Sequence, residues 1–347
     1  MKAVVLQADH QFALEEVEDP KLAHPDDVIV KVTTTTICGS DVHAKHGVIP
    51  GIPPGTIIGH EFVGIIAEAG AGVERFKPGD RVAVPPATWC GKCPACKRRD
   101  VQYCPHGGIW GAGEIFGKGL AGAQAQHVRV PHADVILTAI PPNVTDEQAV
   151  FVGDVFSTGY HAAFEGRIET GDTVVIFGCG PIGLGALVSA WQFGPRQVLA
   201  VDMLENRLTL AGDYGATPIH AGRGQVLEQI QEATGGRGAD VAIEAAGNPD
   251  AFAQALKAVR RAGRVSVVGL FSAPVQLPIQ ELVYHGVQIS MGLGNLSRVN
   301  ELMGLVEAGR VDLTPLATHS FALEDALEAY DLFENHRDKC VKVLLKP

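Results

Sequence analysis

The sequence predicts an α/β protein of two domains, one an antiparallel, barrel-like β domain and the other a doubly wound parallel sheet. Three observations lead to this prediction. The 347 residues exceed one typical small domain, and a composition of 46% hydrophobic and 19% charged residues allows a substantial core. The chain to about residue 150 carries short apolar segments broken by Gly and Pro. From about residue 155 strand-like and helical segments alternate.

The first stretch reads as short strands joined by turns. Apolar alternation predicts strands at residues 27–33, 64–69 and 81–84, and Lys77-Pro78-Gly79-Asp80 is a typical turn sequence between two of them. Many short strands separated by turn residues are typical of an antiparallel β domain that carries loops.

The second stretch alternates between strands and helices. Predicted strands, several of them continuously apolar, are at 173–177, 197–201, 217–220, 241–245, 264–268 and 287–291. Predicted helices are at 183–193, 205–213, 226–234 and 250–262. This order predicts a parallel sheet with helices on both faces.

The last part of the chain is expected to return to the first domain. It contains predicted helices at 298–308 and 324–335 and a closing strand at 341–345. The β domain is therefore expected to be discontinuous, formed by residues 1–154 and 295–347, with residues 155–294 forming the parallel-sheet domain.

Charge and cysteine content exclude several classes of protein. A formal net charge of −11 argues against a general nucleic-acid binder, and the basic run Lys97-Arg98-Arg99 is interpreted as a solvated loop. The chain has no apolar run of about 18 residues, so neither a signal peptide nor a membrane span is predicted and a cytoplasmic location is expected. Seven cysteines without a secretory signal favour reduced thiolates that bind metal over a disulfide framework.

A glycine motif opens the parallel-sheet domain. Gly178-Cys179-Gly180-Pro181-Ile182-Gly183 is a G-x-G-x-x-G sequence that follows an apolar strand and begins a helix, the context in which such a motif binds a dinucleotide pyrophosphate. Asp202 ends the next strand, where a carboxylate accepts hydrogen bonds from the adenosine ribose and repels a 2′-phosphate. The pattern therefore favours NAD over NADP. Arg207 keeps NADP as the minority interpretation, and a simple helix-capping role for Asp202 is the structural alternative.

Four cysteines lie within fifteen residues in a short loop of the first domain, at Cys90, Cys93, Cys96 and Cys104. Four thiolates form a closed tetrahedral zinc site that leaves no position for a substrate. The sequence therefore predicts a structural zinc that holds a loop-rich segment in place. Two adjacent disulfides and a nucleic-acid-binding zinc ribbon are the less favoured alternatives.

Three further segments carry residues able to bind metal. They contain Cys38, the pair His60-Glu61, and Asp154. Each has an ordinary structural alternative when taken alone, because a single Cys is usually part of a core, a buried His is often hydrogen-bonded, and an Asp often caps a helix.

Together these segments make the chain resemble the zinc-containing alcohol dehydrogenase family of the medium-chain dehydrogenase/reductase superfamily. The run Gly59-His60-Glu61-x-x-Gly64-x5-Gly70-x-x-Val73 is similar to the zinc signature of that family. The four-cysteine loop, the glycine motif and Asp202 follow in the family's order. The resemblance spans the whole chain and implies a GroES-like β-barrel catalytic domain and a Rossmann coenzyme domain.

The resemblance implies a catalytic zinc with three protein ligands. Cys38 and His60 match the first two family ligands. Asp154 occupies the place of a third ligand that is often Cys, as it does in some bacterial secondary-alcohol dehydrogenases of the family. A carboxylate is an acceptable but harder zinc ligand, and harder ligands accommodate other divalent ions better than thiolate does. Glu61 matches a residue that coordinates the metal transiently, and Asp41 one that orients His60.

The resemblance also implies a path for the proton that leaves the alcohol when zinc has lowered its pKa and hydride has passed to the nicotinamide. Ser40 matches the family's relay hydroxyl, and His43 the histidine that completes the path through the cofactor ribose, a surface His being the alternative. Thr158, placed one helical turn after Asp154, is expected near the nicotinamide. Lys342 in the closing strand is expected near the pyrophosphate.

The expected function is therefore an NAD-dependent zinc alcohol dehydrogenase with two zinc ions per chain, acting on a primary or secondary alcohol and favouring secondary ones. Polyol, diol, threonine and formaldehyde dehydrogenases of the same superfamily are the enzyme alternatives. A non-catalytic zinc- and nucleotide-binding redox sensor is the alternative from another class, disfavoured because a sensor needs no proton path. Its expected partners are a small alcohol, ketone or aldehyde and further copies of itself, as a dimer or tetramer, with strand 287–291 pairing across a two-fold axis.

Overall fold

The structure, a computed structural model, describes residues 1–49, 51–114 and 116–347. Its contacts divide the chain into two compact units. One unit joins Met1–Asp154 to Asn295–Pro347, and the other is Val155–Gly294.

The strands of the described residues are, in chain order, β1 (Lys2–Leu6), β2 (Phe12–Glu16), β3 (Val28–Ile37), β4 (Phe62–Ala69), β5 (Arg81–Val84), β6 (Ala87–Thr88), β7 (Gly108–Ile109), β8 (His127–Val130), β9 (Thr138–Ala139), β10 (Thr173–Phe177), β11 (Gln197–Asp202), β12 (Thr217–His220), β13 (Ala239–Glu244), β14 (Val259–Val267), β15 (Gln288–Met291), β16 (Ala317–Ala322) and β17 (Lys342–Lys346).

The α-helices of the same residues are α1 (Gly39–Lys45), α2 (Pro94–Lys97), α3 (Ala133–Ile136), α4 (Asp146–Phe151), α5 (Ser157–Glu165), α6 (Pro181–Trp191), α7 (Glu205–Asp213), α8 (Val226–Ala233), α9 (Pro249–Ala258), α10 (Ile279–His285), α11 (Val299–Glu307) and α12 (Ala326–Asn335). Short 3₁₀ turns occur at Val101–Tyr103, Ala221–Arg223, Thr314–Leu316 and Leu323–Asp325, and a π-helical turn at Val152–Phe156. In the part of the chain that the structure describes, every helix is too short or too polar to cross a bilayer.

The unit Val155–Gly294 contains the predicted doubly wound sheet. Among its described residues six parallel strands run in the order β12-β11-β10-β13-β14-β15. This is the strand order 3-2-1-4-5-6 of a dinucleotide-binding fold, which reverses between β10 and β13. All residues of β10 and β13 are buried, as their apolar runs predict for strands covered on both faces. The fold class predicted from the sequence is confirmed here.

One predicted helix of this unit ends earlier in the structure than the sequence predicts. The helix expected over residues 250–262 ends at Ala258, and the chain continues directly into β14 at Val259. Val259 pairs with Ala239 of β13, and Ala262 has a left-handed φ of 55° that an α-helix does not permit. Pairing with β13 thus overrides the helical pattern of the preceding residues, a tertiary effect that local propensity does not contain.

The other unit is built on an antiparallel sheet with one parallel pair. Its described strands follow the order β16-β17-β3-β4-β5-β9, with β8 also pairing with β3, and β16 and β17 are the parallel pair. Strand β3 is longer than predicted, and the β1–β2 hairpin and β16 were not predicted. Two registers position the candidate site. Thr35 of β3 faces Phe62 of β4, and Ile37 of β3 faces Val343 of β17, so the ends of the three strands meet.

Candidate active site and metal centres

Four metal-binding side chains meet at these strand ends. One ligand atom from each of Cys38, His60, Glu61 and Asp154 lies within 4.8 Å of all the others. Cys38 connects β3 to α1, and His60 and Glu61 directly precede β4. Asp154 lies in the π-helical turn that follows α4, a kind of distortion frequent at functional sites. Because residues 155–156 complete this π turn, Thr158 of α5 does not follow Asp154 by one regular α-helical turn, as the sequence analysis assumed.

Carboxylates near both ring nitrogens orient the histidine of this cluster. His60 Nε2 lies 3.7 Å from Asp154 Oδ2 and 3.9 Å from Glu61 Oε1, whereas Nδ1 lies 3.5 Å from Asp41 Oδ1. Asp41 is itself fixed, because its Oδ2 accepts hydrogen bonds from the Cys38 backbone N–H at 2.9 Å and from Gln124 Nε2 at 3.0 Å. This arrangement points Nε2 at the cluster and leaves Nδ1 to Asp41, the orientation that a metal-binding imidazole needs.

The charges of the cluster fit a divalent cation. Burial alone lowers the pKa of His60, but the Cys38 thiolate and the carboxylates of Asp154 and Asp41 together raise it well above its ordinary value. The same negative potential that favours an imidazolium stabilises a bound dication. Glu61 is 1% exposed, whereas the side chains of His60 and Asp154 retain 11% and 13% exposure and Cys38 is half-buried, so the cluster is not fully sealed from solvent. A catalytic zinc site, unlike a closed structural one, keeps a position for water or substrate, which requires such access.

Ser40 and His43 lie on α1, beside the cluster. Ser40 Oγ is 3.4 Å from His60 Nε2, the nitrogen that faces the metal-binding atoms. His43 follows Ser40 by three residues, so the two side chains share one face of the helix. Burial, reinforced by Arg337 and His46, lowers the pKa of the half-buried His43. A lowered pKa leaves this imidazole neutral near pH 7 and able to accept a proton.

The expectation for Lys342 is wrong. Its side chain is 1% exposed, and its ammonium donates a hydrogen bond of 2.5 Å to Glu61 Oε1, so it is not presented to a coenzyme phosphate. The Thr36 hydroxyl donates to the other oxygen of Glu61 at 2.8 Å. Sequence reasoning missed this contact because β17 is nearly 300 residues from Glu61 in the chain. The available signal was a lysine that begins an otherwise apolar strand, Lys342-Val343-Leu344-Leu345.

The four-cysteine loop forms a second cluster in the same unit. Cys93 Sγ lies 3.4 Å from Cys96 Sγ and 3.8 Å from Cys104 Sγ, and the four thiols are free. Four sulfurs at a Zn–S distance of about 2.3 Å are about 3.8 Å apart in a tetrahedron, so the spacing fits zinc. Burial raises the pKa of Cys90, but the backbone N–H groups of Lys92 and Cys93 outweigh it and lower the value to about 6. The loop therefore stabilises a thiolate.

In the parallel-sheet unit, the glycine motif forms a cradle with one open side. Gly178 has a φ of 89°, and a side chain on Gly183 would collide with the Gly178 carbonyl, so the turn and the packing require glycine at both positions. A Cβ on Gly180 would meet only Arg207 Nη1, at 3.7 Å. Gly180 is also the N-cap of α6, which Pro181 and Ile182 begin. The backbone thus leaves space for a phosphate at the helix start.

Asp202 supports this turn and retains acceptor capacity. Its Oδ2 accepts a hydrogen bond from the Cys179 N–H at 2.7 Å, and its Oδ1 accepts from the N–H groups of Met203 and Leu204 at 2.7 and 2.9 Å. Arg207 Nη1 lies 3.8 Å from Oδ2. A carboxylate offers about four acceptor positions, so Asp202 has capacity beyond these three backbone contacts.

Glu244 is a further candidate that the sequence analysis missed. It ends β13, in register with Phe177 of β10, where the strand order reverses and doubly wound folds bind their ligands. Burial raises its pKa to about 7, against the lowering effect of the Ala246 N–H, which donates to it at 2.9 Å. A charged residue that closes the apolar run Val241-Ala242-Ile243 was the available signal.

Known proteins resemble the chain along its whole length. Residues 24–142 match the family described as alcohol dehydrogenase GroES-like domain, and residues 181–308 match that described as zinc-binding dehydrogenase. An alcohol dehydrogenase of Cupriavidus necator is 36% identical over 100% of this chain and 99% of its own.

Solved structures agree with these sequence matches. Alcohol dehydrogenase from Thermus sp. ATN1 superposes with a TM-score of 0.94 at 38% identity, covering 100% of this chain and 99% of its own. A 2R,3R-butanediol dehydrogenase from Bacillus subtilis superposes with a TM-score of 0.87 at 27% identity, with the same two coverages.

Proposed function

The chain belongs to the zinc-containing alcohol dehydrogenase family of the medium-chain dehydrogenase/reductase superfamily, and from this premise we propose that it oxidises a secondary alcohol to a ketone, reversibly, with NAD as hydride acceptor. The observation that carries the proposal is the convergence of the Cys38, His60 and Asp154 ligand atoms beside the hydroxyl of Ser40. A redox sensor would not need the hydroxyl.

The donor set suits a catalytic zinc. Cys38, His60 and Asp154 would hold it through one sulfur, one nitrogen and one oxygen, three protein ligands being typical of catalytic zinc. When bound, zinc polarises the alcohol oxygen and NAD accepts the hydride. The Cys90, Cys93, Cys96 and Cys104 thiolates would hold a second, structural zinc.

The remaining residues of the site orient the metal-binding side chains and transfer the alcohol proton. Asp41 fixes the His60 ring through Nδ1, and Glu61 lies against His60 Nε2 with its own carboxylate tied to Thr36 and Lys342. Ser40 Oγ accepts the alcohol proton and passes its own proton on, and the neutral His43 imidazole is the acceptor that follows. The net reaction releases one hydride equivalent and one proton from each alcohol.

Two observations favour secondary alcohols. Asp154 stands where many family members have a second cysteine, as it does in some bacterial secondary-alcohol dehydrogenases of the family. One structural relative is named for 2,3-butanediol, whose two hydroxyls are both secondary. Polyol, diol, threonine and formaldehyde dehydrogenases remain the alternatives, because they differ from this proposal only in the substrate pocket.

A substrate panel tests the proposal. Initial rates with NAD should give the highest kcat/KM for 2-propanol or 2-butanol, above ethanol, 2,3-butanediol, sorbitol, threonine and a formaldehyde–thiol adduct. A clear preference for ethanol would remove the secondary-alcohol assignment. Absence of turnover on every alcohol and ketone by protein that carries both metals would favour the sensor.

The proton path predicts a pH-dependent defect. Ser40→Ala should lower kcat for alcohol oxidation about 100-fold at pH 7, the low end of what a positioned proton-transfer group contributes. The defect should shrink as pH rises, because hydroxide then takes the proton. In the parent enzyme kcat should fall as pH drops through the lowered pKa of His43, and His43→Gln should remove that limb. The measurement is kcat against pH between about 5 and 10.

Ser320→Ala is the matched control, because Ser320 is an exposed serine of β16 that is not part of the cluster. It should keep the parental pH profile. If Ser40→Ala retained the parental kcat throughout the pH range, Ser40 would have no part in proton transfer.

We also propose that the enzyme is a homo-oligomer in which β15 pairs with β15 of a second copy. Among the described residues β15 is the outer strand of its sheet, and Met291 at its end is 62% exposed. Three apolar side chains of the preceding α10 are also exposed, at Ile279, Val283 and Tyr284. An unpaired strand edge beside exposed apolar side chains is the feature that a self-complementary two-fold interface covers.

Charge placed at this edge should weaken the assembly. Met291→Lys combined with Val283→Lys should reduce the molar mass measured by light scattering to that of a smaller species, because two copies bring the lysines together across the axis. Phe164→Lys, at another exposed apolar position of the same unit, is the control and should leave the mass unchanged. An unchanged mass in the double variant would exclude this edge as the interface.

A further inference from the structure

Lys342 is among the largest fully buried side chains of the described residues, with 1% exposure. Taking an ammonium out of water costs several kcal/mol, so a buried lysine persists only with a closely placed anion. That anion is Glu61, also 1% exposed, whose Oε1 is 2.5 Å from the Lys342 Nζ. The two residues form an ion pair without solvent contact, directly behind the metal-binding cluster.

Glu61 belongs both to the ion pair with Lys342 and to the metal-binding cluster. It is one of the four side chains whose ligand atoms lie within 4.8 Å of one another, and its Oε1 is 3.9 Å from His60 Nε2. Both of its oxygens nevertheless accept hydrogen bonds, Oε1 from Lys342 and Oε2 from the Thr36 hydroxyl at 2.8 Å. A carboxylate in this position has two competing partners, the ammonium and a metal ion.

We propose that Lys342 is a positioning residue that holds the Glu61 carboxylate away from the metal. The protein then supplies three ligands, and one coordination position stays open. The inference rests on the proposed metal site at Cys38, His60 and Asp154. Without the ammonium, Glu61 would be a buried carboxylate with one hydroxyl donor. A dication is then its strongest available counter-charge, and Glu61 becomes a fourth protein ligand in the position that the alcohol oxygen needs.

The test replaces the ammonium and reads the metal directly. The holoenzyme is prepared with Co²⁺ at the catalytic cluster, because the visible spectrum of Co²⁺ reports the number and type of ligands. K342M should change this spectrum, and zinc competition against a chelator should show about 10-fold tighter binding, similar in size but opposite in sign to the loss usual when a residue behind a metal ligand is removed. K342R, which preserves a cation, should restore the parental spectrum.

A double variant separates positioning from a structural role. In K342M/E61Q the fourth residue is an amide, a much poorer ligand, so the spectral change and the tighter zinc binding should both disappear. K346M is the matched control, since Lys346 lies on the same strand and pairs with Thr34 and Glu147 instead. T36V, which removes the other tether of Glu61 at nearly constant volume, should shift zinc affinity in the same direction by a smaller factor. T36V therefore still tests the inference if K342M fails to fold.

Three results would overturn the inference. They are an unchanged Co²⁺ spectrum and zinc affinity in both K342M and T36V, weaker zinc binding in K342M that persists in the double variant, and an equal spectral change in K346M. A failure of the proposed function itself would give a different result from these three. The parental Co²⁺ spectrum would then be insensitive to C38S, which would mean that the metal is not at this cluster at all.

Discussion

Replacing Asp154 by alanine should lower the zinc content from about two ions to about one per chain and reduce kcat/KM for alcohol oxidation about 10³-fold or more. Asp154 Oδ2 lies 3.7 Å from His60 Nε2, and the Cys38 thiol completes the set of three ligands. With two protein ligands left, the ion is held too weakly to persist at micromolar metal concentrations. Cys38→Ser should have the same effect, because a neutral hydroxyl replaces a thiolate.

Metal analysis and steady-state kinetics measure both quantities on one preparation. Asp154→Cys should retain about two zinc ions, because a thiolate is a better zinc ligand than a carboxylate. Glu147→Gln, on α4, is the control, since Glu147 pairs with Lys346 at the surface and should affect neither value. The metal assignment would be wrong if Asp154→Ala kept both ions, or if it lost one ion and kept parental activity.

The sequence was informative where local chemistry decides the structure. The strand at 173–177 and the glycine turn after it follow from a run of apolar residues and from backbone conformations that require glycine. The four-cysteine loop is equally local, because its ligands lie within fifteen residues. In both cases the residues that make the feature are neighbours in the chain, so their spacing contains the geometry.

Sequence reasoning failed where distant segments decide the structure. Lys342 looked like a phosphate-binding residue, and only the antiparallel register of β17 with β3 shows that it lies beside Glu61. Similarly, Val259 continues a helical pattern but pairs with Ala239 of β13. Neither partner is encoded near the residue that it redirects. The cluster of Cys38, His60 and Asp154 spans more than a hundred residues and was reached only through a family resemblance.

Replacing Asp202 by alanine should shift the ratio of kcat/KM with NAD to kcat/KM with NADP about 10²- to 10³-fold toward NADP. Losing a charged acceptor for the adenosine ribose costs about 1.5–3 kcal/mol with NAD, or about 10- to 100-fold. Removing the negative charge also ends the repulsion of a 2′-phosphate. Arg207 contributes to the same shift, because its Nη1 is 3.8 Å from Asp202 and would be released toward that phosphate.

Asp202→Asn separates the two contributions, since the amide removes the charge while keeping one oxygen to accept from a backbone N–H or a ribose hydroxyl. It should gain activity with NADP and lose less with NAD than the alanine variant. Thermal unfolding of both variants checks the turn itself, because Asp202 also accepts from Cys179, Met203 and Leu204. Asp213→Asn, an exposed carboxylate at the end of α7, is the control. A ratio that stays parental in both Asp202 variants would mean that this carboxylate serves only the turn, and that NAD preference arises elsewhere.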